Sequence, residues 1–336
     1  MPSPTGARAP PSRSRVQDST ITVLGRTERR QHEAVRYDDV IAATFTEPEQ
    51  APVLPATVDD PSPARRLRDA AEPVAMHPVW CRATNEALAA CGLDFLSAYV
   101  WGRAAVLGEP TPAVVVAAFG AFAPALLVPT YEAGRAACDR VTVLAVRAEA
   151  TTSSLGAVLG DDPEVEGVAA ALEGALAGIH TAGRPLFAGL GGQPRADHPV
   201  GRLWAACERL RELRGDAHVA VWAAAGLDPV EVNVMTERWL DMPLGTYSAS
   251  RGWRVDEIEA AAGRLTGRAL MDGDGLTGAG RAFRADLEAR TDHAVAPVIE
   301  ALGDDLANVT VALERWGATC IEAGAFPPDP RKRAAG

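Results

Sequence analysis

The run Met271-Asp272-Gly273-Asp274-Gly275-Leu276 places an Asp-Gly pair, twice over, between apolar residues. Glycine accepts the positive φ of the primed turns, so this spacing predicts a tight β-hairpin. Helical patterns flank it. Before it, Val255, Ile258, Ala262, Leu265 and Leu270 recur at near-helical spacing. Asp256, Glu257 and Glu259 sit near that helix's start, where the dipole favours negative charge. After it, Thr277 is an N-cap candidate, and Ala279, Ala282, Phe283 and Leu287 mark one face of a helix reaching about Arg290.

Upstream, Leu203, Cys207 and Leu210 lie along one side of a helix that starts at Asp197-His198-Pro199. Gly226 is a C′ candidate, and Asp228-Pro229 combines a cap with a first-turn proline. A helix over 230–239 follows. Helix, glycine turn, helix, linker, helix, hairpin, helix is the element order of a winged helix. Aromatic residues make up only 5% of the chain and β-branched runs are few, so the remainder reads as helical too. The fold expected is mainly α: a multi-helix protein with a winged-helix-like C-terminal half and a small β-hairpin wing.

Four segments follow from punctuation and composition. Residues 1–62, rich in Pro, Ser, Arg and Thr, read as a disordered tail in which 19–24 could form one strand and the basic stretch 7–15 an arm for nucleic acid. Ser62-Pro63 opens a helical N-terminal domain over 63–195, and 196–323 holds the winged-helix-like domain with a C-terminal helix. Residues 324–336, with three prolines, read as a second disordered tail. The uncharged run from Pro110 to Tyr131 is broken by Pro112, Pro124 and Pro129, so it reads as a buried helix and loop rather than a membrane span. Five scattered cysteines without CxxC spacing, and no signal-peptide core, fit the cytoplasm.

Several pieces together resemble an actinobacterial helix-turn-helix-like family of unassigned function (SalK-like). They are Glu72-Pro73, Tyr99 with Gly102-Arg103-Ala104-Ala105, the stretch Phe119 to Pro124, Gly183-Arg184-Pro185, Arg214-Gly215-Asp216 with His218, and Arg251-Gly252-Trp253. They span roughly Ala64 to Leu302. The C-terminal half is also similar to MarR-type winged helices, whose wing likewise runs into a Leu-Thr helix start, here Leu276-Thr277. In one departure, the family's histidine two positions after Glu-Pro is replaced by Ala75. The resemblance implies a fold more than an activity.

Charge decides how the C-terminal half is read. Its segment 251–290 carries seven arginines against seven acids, and the whole chain has a formal charge of -11. The acids at the start of the reading helix and Asp272 and Asp274 at the wing tip would meet phosphates unfavourably. Arg251, Arg254, Arg264 and Arg268 are the residues that could touch DNA, an interaction the charge disfavours. Tyr99, Arg103, Phe119, Phe122, Arg184, Arg214 and His218 are candidates for an interhelical pocket. The expectation is therefore a regulatory or accessory protein that binds a small molecule or a protein partner without strong DNA affinity. A DNA-binding regulator and an enzyme of specialised metabolism are the alternatives. No phosphate loop, Rossmann fingerprint, nucleophile elbow or metal spacing is present, so no cofactor or metal is expected. No membrane partner is expected, and analogy with winged-helix regulators admits a homodimer.

Overall fold

A computed structural model describes residues 35–46, 52, 54–273 and 275–335. The strand expected at 19–24, the basic stretch 7–15 and Asp274 lie outside these residues. The described chain is mainly helical, and its one sheet is the expected hairpin, β1 (Met271–Asp272) against β2 (Gly275–Leu276), with Met271 opposite Leu276.

In chain order the longer helices are α1 (Tyr37–Thr44), α2 (Pro63–Ala75), α3 (Arg82–Ala90), α4 (Phe95–Ala104), α5 (Pro112–Phe119) and α6 (Pro124–Ala137). They continue with α7 (Arg140–Leu159), α8 (Glu164–Ala177), α9 (Pro185–Gly191), α10 (Pro199–Ala224), α11 (Pro229–Trp239) and α12 (Val255–Gly267). After the hairpin come α13 (Gly278–His293), α14 (Ala296–Leu302) and α15 (Leu306–Glu322). No helix among the described residues is long and apolar enough to cross a membrane.

Local chemistry sets the ends of these helices. Ser62 caps α2 by accepting from the Arg65 N–H, and Thr277 caps α13 by accepting from the Gly280 N–H. At α11, Asp228 and Glu231 form a capping box. Helix α10 runs unbroken through Gly215 for 26 residues. It contributes Leu203, Cys207, Leu210 and Leu213 to a core shared with α2, α8 and α15. Its far end contributes Trp222 to a core shared with α11, α12, the hairpin and α13. A third core gathers α4–α7 around Trp101, Leu127 and Tyr131. Each fully buried Leu or Phe adds about 1.5–3 kcal/mol of transfer free energy.

The hairpin is locked to α13 by close approach. A Cβ at Gly280 would lie 1.9 Å from the Leu270 carbonyl oxygen, so only glycine lets the two backbones pack.

Four expectations change. Residues 37–44, within the expected tail, form α1. Tyr37 donates to the Trp80 carbonyl at 2.5 Å, and Phe45 meets Trp80 edge-on at 5.9 Å. Aromatic anchors so far apart leave no periodic trace in sequence. The expected C-terminal tail folds back instead: Phe326 and Ala334 are buried, and 330–335 forms a helical turn. The first core draws on residues from both sides of position 195, because α2 and α8 pack on α10. Finally, the uncharged run forms two helices, because Pro124 starts α6 at its first turn and Pro129 is held inside it.

Candidate functional site: an arginine-lined cleft

The motif at 251–253 docks on the turn between α5 and α6. The Ala123 N–H donates to the Arg251 carbonyl at 2.8 Å. The Trp253 ring N–H and the Asn233 amide both donate to the Ala121 carbonyl, at 2.9 and 2.7 Å. Gly252 has φ +85° and lies so near α6 that a Cβ would fall 2.5 Å from Leu126 Cβ. This docking closes one side of a cleft of about 110 Å3 between α4, α5, α10 and α11.

Six of the seven expected pocket residues line that cleft: Tyr99, Arg103, Phe119, Phe122, Arg214 and His218. Tyr99, Phe119 and Phe122 form a cluster with ring centres 5.9 to 6.4 Å apart. Arg103 lies over Phe119 at 4.3 Å and grips Glu212 with two bonds of 2.7 Å. Arg184 is elsewhere, donating to the His180 and Ala294 carbonyls. Arg251, a candidate for DNA contact on sequence grounds, sits inside the cleft. Its guanidinium stacks on Tyr247 at 4.0 Å and Phe122 at 5.0 Å and donates to Ser250 Oγ.

The other three arginines of that set are engaged at the surface. Arg254 bonds Asp256, Arg264 bonds Asp228 and Glu231, and Arg268 donates to the Gly226 carbonyl with Glu231 close by.

Behind the cleft lies a buried ion network. Glu288 on α13 accepts from Arg65, Arg214 and Arg284. Burial alone would raise the Glu288 pKa, but Arg284, Arg214 and Arg65 hold it well below the ordinary carboxylate range. Burial likewise opposes ionisation of Glu212, yet Arg103 and Arg211 bring it down to about 2. Arg68, caged by Asp69 and Glu72, also has its pKa lowered, by burial and by the neighbouring charges of Arg65 and Arg214. The partners of Arg214 are thus Glu288 and Asp292, on α13, rather than Asp216 or Glu212 within α10.

His218 meets Thr291 Oγ1 at 3.1 Å. Loss of water around the ring and the charges of Arg284 and Arg214 lower its pKa to about 3, so it is a neutral polar contact. Asp216 accepts from the Phe187 N–H at 3.0 Å, and burial pushes its pKa up to about 7. It fastens the start of α9 to α10.

Sequence reasoning missed Arg68, Arg211 and Tyr247 in the cleft. A signal for Arg211 existed. Residues 209–214 read Arg-Leu-Arg-Glu-Leu-Arg, which places charges on more than one face of a helix whose leucines are core. Charges on a buried face imply partners brought by other helices.

The last described turn completes the enclosure. Arg68 donates to the Arg333 carbonyl at 2.6 Å, Arg65 to the Ala334 carbonyl at 2.8 Å, and the Tyr247 hydroxyl to the Ala335 carbonyl at 2.9 Å. Among the described residues no group of three His, Cys, Asp or Glu could hold a metal.

The molecule is thus a mainly helical protein in which the consecutive helices α10 and α11 line part of an arginine cleft. A helix-turn-helix family model matches residues 64–327, and the chain belongs to that family. No curated protein and no solved structure matches it.

Proposed function

We propose that this is a regulatory or accessory member of the helix-turn-helix family that binds a small aromatic carboxylate in the Arg251 cleft. The supporting observation is a cluster of positive charge in a cleft where Arg251 is half-buried. Arg68, Arg103, Arg211 and Arg214 each hold carboxylates, whereas Arg251 meets none among the described residues. A cation in such surroundings is stabilised by an incoming anion. Tyr99, Phe119 and Phe122 supply an apolar wall for a ring, and the cleft volume suits about one aromatic ring. The C-terminal half takes the part of the winged-helix-like scaffold.

The test is calorimetric titration with benzoate and its hydroxylated relatives. Binding that weakens at least roughly tenfold in Arg251→Ala, as expected for loss of a hydrogen bond to a charged group, supports the reading. Absence of binding, or equal binding by the variant, rejects it.

A DNA-binding regulator is the second reading, favoured by family membership and by the exposure of Asp272 and Gly273 on the hairpin. Against it, all three surface arginines of the expected reading set already face internal acceptors, and Asp256 and Glu259 are exposed. Salt-sensitive retention on DNA would favour this second reading.

A further inference from the structure

A second and larger cavity, of about 730 Å3, opens between α7, α9 and α10. Its volume falls within the range of sites for small organic ligands, ~300–1,000 Å3. The walls are apolar, formed by Val141, Leu144, Ala148, Leu190, Trp204 and Ala205. Val141 is exposed at its mouth.

Positive charge is in excess in this groove, where five arginines meet three carboxylates, Glu173, Asp197 and Glu208. Arg147 pairs with Glu208, and Arg195 and Arg202 share Glu173. Arg140 and Arg209 meet no carboxylate among the described residues. Arg140 donates through Nε to the Ala105 carbonyl at 2.8 Å. Arg209 stacks 4.9 Å from the Phe187 ring, and its buried Nε meets no acceptor among the described residues. Its guanidinium lies against the end of α9, where a Cβ on Gly191 would be 3.2 Å from Nη2. A buried N–H of this kind costs stability unless something accepts from it. Burial also lowers the Arg209 pKa, as expected for a cation short of counter-charge.

We propose that this groove binds an apolar carboxylic acid, with its hydrocarbon body between α7 and α10 and its carboxylate on Arg209. The apolar walls would shed water onto the chain of the ligand, and the guanidinium fork matches a carboxylate in a way that no neutral head group does. Arg140 adds positive charge at the same groove. The site is separate from the Arg251 cleft and does not depend on what that cleft binds.

The experiment is calorimetric titration of the full chain with decanoate and, in parallel, decanol. Decanoate is expected to bind more tightly than decanol. Arg209→Ala should reduce decanoate binding roughly tenfold or more, to the level of the alcohol. Ala145→Trp, at an exposed position on the groove wall, should weaken both and keeps the test open if the Arg209 variant does not fold. The proposal is overturned if decanoate does not bind, if acid and alcohol bind alike, or if Ala145→Trp leaves binding unchanged. It is equally overturned if the groove proves to be filled by a second copy of the chain, seen as a dimer that Ala145→Trp splits.

Discussion

Single residues in this protein act through their neighbours' charge. Glu288 holds three arginines from three helices, so the pieces that meet behind the cleft share one carboxylate. Asp216 is the opposite case, a carboxyl whose burial makes the protonated form the comfortable one. With a folded pKa near 7 and an ordinary unfolded value of 3.8, Asp216 contributes stability that is complete below the unfolded value. That contribution is lost as pH rises through the folded value. Asp216→Asn, which stays neutral, should therefore gain on the parent as pH rises from about 4 to about 8. The check is the difference in melting temperature between variant and parent across that range. A constant difference would mean that Asp216 is not protonated in the fold. His218 works in the other direction, because its lowered pKa withdraws stability as pH falls below the ordinary histidine value. That is why the comparison with Asp216→Asn, and not the parent's pH profile alone, isolates the carboxyl.

At the scale of elements, the hairpin was the most readable feature, and its environment explains why it is built as it is. A two-residue strand pair cannot hold itself in water and must be pinned. Leu270, Met271 and Leu276 are buried against α12 and α13, and the start of α13 comes within backbone contact of Leu270. Gly280→Ala should cost about 3 kcal/mol, the upper end for overpacking, because backbone and not a movable side chain blocks the Cβ. Gly278→Ala, in the same turn but with open space around it, should be neutral or slightly stabilising through helix propensity. Chemical denaturation of the two variants separates them, and equal stabilities would show that the hairpin moves aside. The caps at Ser62, Asp228 and Thr277 were legible because a cap is a local bargain between one side chain and the next turn. Helix α1 was not, since its anchors Tyr37 and Phe45 depend on Trp80 and Phe95, far along the chain.

At the scale of the molecule, α10 joins what sequence divided. Its first half lies in the core with α2, α8 and α15, its middle carries Arg211 and Arg214 to the cleft, and its end enters the core of the hairpin half. The sequence by itself determined the helical class, the hairpin, the helix starts at Pro63, Pro199, Pro229 and Gly278, and six residues that line one cleft. These follow from periodicity, turn chemistry and capping, which are properties of neighbours in the chain. Only tertiary structure decided that Arg251 turns inward onto Tyr247 and Phe122, that Arg214 answers to α13, and that the final turn closes over Arg65 and Arg68. The physical reason is that an arginine has many acceptors within reach of its long side chain. Which one it meets is set by the burial around it and by helices brought from distant parts of the chain.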